Sequence, residues 1–88
     1  MKDNMLTETQ KVNAAERAAK VEVRETLLKV YAALQEKGYN PLNQIVGYIL
    51  SGDPTYITGH MNARGIITKI ERDELLEEVF WFYLRDKA

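Results

Sequence analysis

The sequence predicts an all-α fold, a compact bundle of about four to five short helices with a flexible N-terminal tail. Apolar residues recur at i, i+3, i+4 and i+7 in its middle part, the spacing of one helix face. Glycines and Asn-Pro or Asp-Pro pairs separate these stretches, as expected where helices end and begin. No stretch alternates apolar and polar residues between hairpin turns, so the pattern does not favour strands.

The chain has 88 residues, enough for one domain. Residues 1–20 carry few large apolar side chains, which predicts a flexible, partly helical tail, and residues 21–86 form the predicted helical domain. Asn13 and Glu16 resemble a capping box, so the first helix is expected to begin as early as Ala14.

The predicted helices follow from their end signals. Gly38 should end the first helix, whose expected core residues are Leu27, Val30, Tyr31 and Leu34. Asn40 and Pro41 start the second helix, and Gly52 ends it. A short turn from Pro54, a helix from Asn62 or Ala63, and a last helix over Arg72 to Leu84 complete the prediction. The expected core residues of the second and third helices are Ile45, Val46, Ile49, Leu50, Ile66, Ile67 and Ile70.

Composition excludes several classes of function. The formal net charge of -1 disfavours a general nucleic-acid binder. No apolar run is long enough to span a membrane, and the absence of cysteine fits a cytoplasmic protein. We find no nucleophile elbow, P-loop or metal-ligand spacing, and His60, the single histidine, is expected to be solvated. Glu77 and Glu78 are expected on a solvated helix face. No enzyme activity, cofactor or metal is therefore predicted.

A helix-turn-helix that binds nucleic acid is a less favoured alternative. Asn43, Gln44 and Tyr48 on the second helix could contact bases, but that helix has no Arg or Lys. The other interpretation is that these three residues brace neighbouring turns.

Four consecutive aromatic residues mark the last helix: Phe80, Trp81, Phe82 and Tyr83. They cover about 300° of the helix circumference, and one core-facing side can bury two or three of them. The others are either half-exposed beside a crowded core or part of a dimer interface. Phe80, Trp81 and Tyr83 are the interface candidates.

Two arginines and two threonines are the remaining candidates. Arg64 and Arg72 lie two helical turns apart, and they either pair with Glu71 or Asp73 or form a basic docking patch. Thr7 and Thr9 flank Glu8 in the predicted tail, where a kinase could reach them.

Residues 36–54, EKGYNPLNQIVGYILSGDP, closely resemble the signature of the IreB family, which includes ReoM. The likeness covers about residues 24–84. It continues through Tyr56-Ile57, Asn62-Ala63-Arg64, residues 71–74, and the closing Glu77-Glu78 and Tyr83-Leu84.

The resemblance implies a small helical homodimer that regulates the cell envelope of a Gram-positive bacterium. Family members are substrates of a PASTA-type Ser/Thr kinase, and a cognate phosphatase reverses the modification. In the ReoM branch the unphosphorylated protein promotes ClpCP proteolysis of MurA, and in the IreB branch it affects cephalosporin resistance. The expected partners are therefore the kinase, the phosphatase and the Clp machinery or MurA. A dimeric binding module without phosphoregulation is the alternative.

The family motif around the phosphothreonine is similar to residues 9–13, which implies that Thr9 is the first candidate for phosphorylation and Thr7 the second. Val12 stands where the family has an aromatic residue. Arg64 and Arg72 match functional arginines of the family, whereas Gly59 and Thr68 stand where relatives carry arginine.

Overall fold

The computed structural model describes residues 14–85, and the side chains of residues 21–85. Four α-helices lie in this part of the chain: α1 (Ala14–Glu36), α2 (Pro41–Ser51), α3 (Ala63–Ile67) and α4 (Arg72–Leu84). Two 3-10 turns, Pro54–Tyr56 and His60–Asn62, lie between α2 and α3. No strand occurs among the described residues, which confirms the all-α prediction for them.

Helix α1 differs from the short helices expected, because it is 23 residues long. It begins at Ala14, the earliest start that the sequence allowed, and it crosses the predicted boundary between residues 20 and 21 without a break. The predicted tail before residue 14 lies outside the described residues.

Helix α1 ends in a Schellman motif, which explains the tight turn into α2. Gly38 has a φ of +85°, and its N–H donates to the carbonyl of Gln35. The N–H of Tyr39 donates to the carbonyl of Leu34. These two bonds satisfy carbonyls that lack partners inside the helix, and only glycine adopts this φ without steric cost.

Helix α2 is bounded as the sequence predicted. The side-chain oxygen of Asn40 accepts a hydrogen bond from the N–H of Asn43 at 3.2 Å, and Pro41 occupies the first turn. Gly52 ends the helix at a φ of +75°, and its N–H donates to the carbonyl of Tyr48. Asp53 then caps the first 3-10 turn through the N–H of Thr55.

The core is organised by α1, which packs against α2, α3 and α4. Its largest fully buried side chains come from four parts of the chain, so burial of apolar area ties these elements together. They are Val30, Leu34, Ile57, Ile67 and Leu75. Leu27, Ile49, Ile66 and Ile70 are partly buried against this cluster.

Three of the expected core residues are exposed instead: Tyr31, Val46 and Leu50. Helix α2 buries its Ile45–Tyr48 side against α1, which turns Val46 and Leu50 away from the core. The spacing of apolar residues identified a helix, but the neighbours that cover it decide which part of its apolar face is buried.

Candidate functional site

Arg64 projects from α3 towards the first 3-10 turn. Its Nε–H is shared between the carbonyl oxygens of Pro54, at 3.1 Å, and Ile57, at 2.8 Å. This contact closes the turn that follows α2, because both carbonyls belong to it or to the residue after it. Arg64 therefore has a structural role that its place in the sequence did not reveal.

Arg72, in the first turn of α4, has a similar role at the end of α2. Its Nη1 donates to the carbonyl of Ile49 at 2.8 Å, so the guanidinium satisfies a carbonyl in the last turn of that helix. A Cβ built on Gly52 would lie 3.0 Å from the central carbon of this guanidinium. Ion pairs of Arg64 and Arg72 with Glu71 or Asp73, one of the two interpretations that the sequence left open, are absent from the described residues.

The structure thus anchors both arginines on carbonyl oxygens of one stretch of chain, residues 49–57. We call Arg64, Arg72 and this segment the arginine site. Both side chains are exposed. Among the described residues, Arg64 bonds only through Nε and Arg72 only through Nη1. Their remaining N–H groups are oriented by these anchors and can donate to a carboxylate or phosphate.

Asp53 makes the arginine site electrostatically mixed. The N–H and the hydroxyl of Thr55 donate to its carboxylate at 3.0 and 2.7 Å, and these two bonds, with Arg64 nearby, lower the pKa of Asp53. Asp53 is therefore an anion beside Arg64 at neutral pH. Its negative charge weakens the attraction of the site for an incoming anion.

The aromatic residues at the C-terminal end of α4 are exposed to solvent. Phe80, Trp81 and Tyr83 are 57%, 52% and 65% exposed, and Phe82 is 52% exposed. The guanidinium of Arg85 lies over the rings of Phe82 and Trp81. The expectation that the core would bury two or three of these aromatics is wrong for the single chain. So much exposed apolar area on one helix is typical of a contact surface.

Glu78 corrects a second expectation, since it is buried rather than solvated. It is 5% exposed, and its Oε2 accepts a hydrogen bond from Nε of Arg24 on α1 at 3.2 Å. Its Oε1 is buried and has no partner in the described part of the chain. The spacing along α4 could have indicated this burial. Glu78 lies three residues after the buried Leu75 and four residues before the aromatic Phe82, and residues at these spacings share one face of a helix.

The residues suggested for contact with bases have structural roles. Tyr48 is 5% exposed and belongs to the core, and Nε2 of Gln44 donates to the carbonyl of Tyr56 at 2.9 Å. Asn43 is exposed. Gln44 thus braces the turn that follows α2, as the bracing interpretation predicted, and Tyr48 packs in the core.

His60 is paired rather than freely solvated. Its Nε2 lies 2.5 Å from Oε1 of Glu36, and this contact joins the second 3-10 turn to the end of α1. Among the described residues, no group of three or more acidic, histidine or cysteine side chains could hold a metal ion. Thr7 and Thr9 lie outside the described residues.

A family model described as "IreB regulatory phosphoprotein" matches residues 7–85. The chain belongs to the IreB family. A protein of Acetivibrio thermocellus named "UPF0297 protein" is 69% identical over 65 residues, which cover 74% of this chain and 72% of that protein. A protein of the same name from Ruminiclostridium cellulolyticum is 66% identical over 65 residues, or 74% of each chain. The IreB match includes both candidate threonines and both arginines of the site.

Within the described residues, none of the helices is both long enough and apolar enough to cross a membrane.

Proposed function

We propose that this protein is a non-enzymatic, phosphorylation-switched regulator of the bacterial cell envelope, acting as a dimer in the cytoplasm. A PASTA-type Ser/Thr kinase modifies Thr9, or secondarily Thr7, and a cognate phosphatase removes the phosphate. The unphosphorylated form binds its partner, the Clp protease machinery or MurA, through the arginine site. Membership of a family of regulatory phosphoproteins supports this assignment.

One structural observation carries the proposal. Arg64 and Arg72 are anchored on carbonyl oxygens of the same stretch of chain, residues 49–57, and keep N–H groups that bond to nothing else in the described chain. Anchored guanidinium groups lose little side-chain entropy on binding, and they recognise phosphate and carboxylate through paired hydrogen bonds. The same site can therefore take an acidic partner surface or a phosphate.

The proposed switch is a competition between the partner and the phosphate for the N–H groups of Arg64 and Arg72. A phosphate adds about 1.5 to 2 negative charges and three acceptor oxygens to a threonine. Phosphorylated Thr9 would bind the arginine site within its own dimer and cover it. Two guanidinium groups attract a phosphate more strongly than a single carboxylate, and the anionic Asp53 weakens the attraction of the site for both.

The dimer is proposed to use the aromatic end of α4, with Phe80, Trp81 and Tyr83 at the interface. These side chains are at least half exposed in one chain. Tryptophan and tyrosine are enriched in the buried centres of interfaces, and a domain of this length gains stability from association.

Phosphate mapping tests the kinase assignment. The full chain would be incubated with ATP and the cytoplasmic domain of the host's PASTA-type kinase, then analysed by intact and tryptic mass spectrometry. We expect one phosphate that is lost in Thr9→Ala and retained in the matched variant Thr7→Ala. No phosphate on this chain, with a family member labelled in the same tube, would support a binding module without phosphoregulation.

A second experiment tests where the phosphate goes. NMR spectra of the phosphorylated and unphosphorylated chains would be compared, including the side-chain Nε–H signals of Arg64 and Arg72. We expect both signals and the amides of residues 52–57 to shift, while Arg24 serves as the internal control. Changes confined to residues near Thr9 would contradict docking on the arginine site.

A further inference from the structure

Gly47 lies in the interior of α2, where glycine is an unfavourable choice. Its backbone is helical, so no turn requires it there. Glycine loses more backbone freedom than other residues when a helix forms. Packing against Tyr56 explains the residue: a Cβ built on Gly47 would lie 2.4 Å from Cε1 of Tyr56 and 2.6 Å from its Cδ1. The ring of Tyr56 thus rests directly on the backbone of α2.

Helix α2 holds Tyr56 at a second point. Nε2 of Gln44 donates to the carbonyl of Tyr56 at 2.9 Å. Gln44 and Gly47 are three residues apart, so they lie on one face of the helix. The ring and the carbonyl of the same residue are therefore both held by this face.

Tyr56 belongs to the turn that anchors Arg64. The N–H of Tyr56 donates to the carbonyl of Asp53 at 3.2 Å, and the turn ends at Ile57, whose side chain is fully buried. Burial fixes the carbonyl of Ile57, the first of the two that Arg64 uses. The second belongs to Pro54, which is exposed and lies in the same turn as Tyr56. Its position therefore depends on how Tyr56 is held.

We propose that Gln44 and Gly47 are positioning residues for Arg64. They hold Tyr56 against α2, and Tyr56 keeps the carbonyl of Pro54 where the Nε–H of Arg64 meets it. The consequence for binding rests on the proposed function. A guanidinium that is held before an anion arrives has less side-chain freedom left to lose, so two residues that do not touch the anion set part of its affinity.

Solvent exchange of the Nε–H of Arg64, measured by NMR on the full chain, reports this anchoring directly. We expect Gly47→Ala and Gln44→Met to speed the exchange by about fivefold, the equivalent of one ordinary hydrogen bond. Asn43→Ala is the matched control, since Asn43 is exposed beside Gln44 on the same helix. The Nε–H of Arg24, which is bonded elsewhere in the fold, should exchange at its original rate in all three variants.

Unchanged exchange at Arg64 in a folded variant would overturn the role of the residue replaced. The ring of Tyr56 would then have turned aside for the new Cβ without moving its backbone. Equal acceleration at Arg24 would also overturn the proposal, because it would show a general loosening of the fold. Gln44→Met carries the test if Gly47→Ala folds poorly, since it removes a donor and adds no atom beside the ring.

A double variant tests whether Gly47 acts through the ring. Tyr56→Ala should speed the exchange at Arg64 as much as Gly47→Ala does. Adding Gly47→Ala to Tyr56→Ala should then change nothing more, because the new Cβ no longer meets a ring. Effects that add in the double variant would contradict the contact between Gly47 and Tyr56 as the cause.

Titration with inorganic phosphate separates this inference from the proposed function. Gln44→Met should bind phosphate about three- to tenfold more weakly than the unaltered chain, the effect of immobilising one long side chain on binding. Faster exchange at Arg64 with unchanged phosphate affinity would support the positioning role and contradict the use of Arg64 as an anion donor. If the unaltered chain binds no phosphate, the proposed function fails, and the exchange rates still decide the roles of Gln44 and Gly47.

Discussion

Two regions of the chain, residues 40–70 and residues 76–85, differ in whether their polar groups find partners and their apolar groups are covered. In residues 40–70, side chains cap α2 and the first 3-10 turn, and Arg64 and Arg72 take up carbonyls of the same region. In residues 76–85, aromatic rings stay exposed and a buried carboxylate oxygen lacks a donor. In the first region every buried side-chain polar atom has a partner within the described chain, whereas the second region keeps one that has none.

This difference separates two kinds of apolar residue on the surface. Leu42, Val46 and Leu50 are exposed on α2, a helix without charged residues, but no unsatisfied buried polar atom lies among the described residues there. The exposed aromatics of α4 lie on the same helix as Glu78, whose buried Oε1 has no partner in the described chain. Exposure alone therefore does not identify a binding surface, and the polar atoms beneath it give the stronger signal.

The largest expected effect concerns the core that supports both regions. Leu34→Ala should lower the free energy of unfolding by about 2–5 kcal/mol, because the side chain is fully buried and the substitution leaves a cavity. Urea unfolding followed by circular dichroism, at one protein concentration, measures it. Leu50→Ala is the matched control: at 79% exposure, its effect should stay within about 0.5 kcal/mol. Similar losses in the two variants would mean that Leu50 is buried in solution.

The next effect tests which exposed surface holds the proposed dimer together. Trp81→Ala should weaken dimerisation by about 2 kcal/mol or more, roughly 30-fold in the dissociation constant, as expected for an aromatic anchor. Sedimentation equilibrium gives the constant directly. Leu50→Ala again serves as the control, since it removes an exposed apolar side chain from α2. If Leu50→Ala dissociates the dimer and Trp81→Ala does not, the interface lies on α2.

The sequence predicted local features well because each depends on residues that are close together. Gly38, the Asn40-Pro41 pair and Gly52 act within one turn of backbone, so their positions bounded α1 and α2 correctly. The start of α4 at Arg72 was likewise predicted from neighbouring residues.

Contacts between distant residues could not be predicted in the same way. Arg72 bonds a carbonyl 23 residues away, and Glu78 pairs with Arg24, 54 residues away. Such partners depend on how the helices cross, which the apolar spacing of one helix does not fix. The sequence therefore offered Glu71 and Asp73 as partners of the two arginines in one of its two interpretations, whereas the structure pairs the arginines with backbone carbonyls, and it placed Glu78 on a solvated face.

A smaller effect is expected at the junction between α2 and the arginine site. Gly52→Ala should cost about 1–2 kcal/mol, because alanine is strained at a φ of +75°. The added Cβ would also press on the guanidinium of Arg72. Thermal unfolding measures the loss, and Gly59→Ala is the control, since its φ is negative and its Cβ would meet nothing within 4 Å. Equal stabilities of the two variants would contradict the strain at Gly52.

The smallest effect concerns the charge of Asp53. Its pKa is lowered in the folded chain from the ordinary value of 3.8, first by the N–H of Thr55 and then by the Thr55 hydroxyl. A lowered pKa means that the ionised carboxylate stabilises the fold above about pH 3.8, and that this contribution is lost as the pH falls through the folded-state value. Asp53→Asn keeps an acceptor for the N–H of Thr55 but cannot ionise. The difference in unfolding free energy between the two chains, measured by urea unfolding, should therefore shrink as the pH falls from 5 to 2. Since Thr55 and Arg64 both act on this carboxylate, a difference that stays constant with pH would mean that folding leaves the pKa of Asp53 unchanged, and that neither residue stabilises its ionised form.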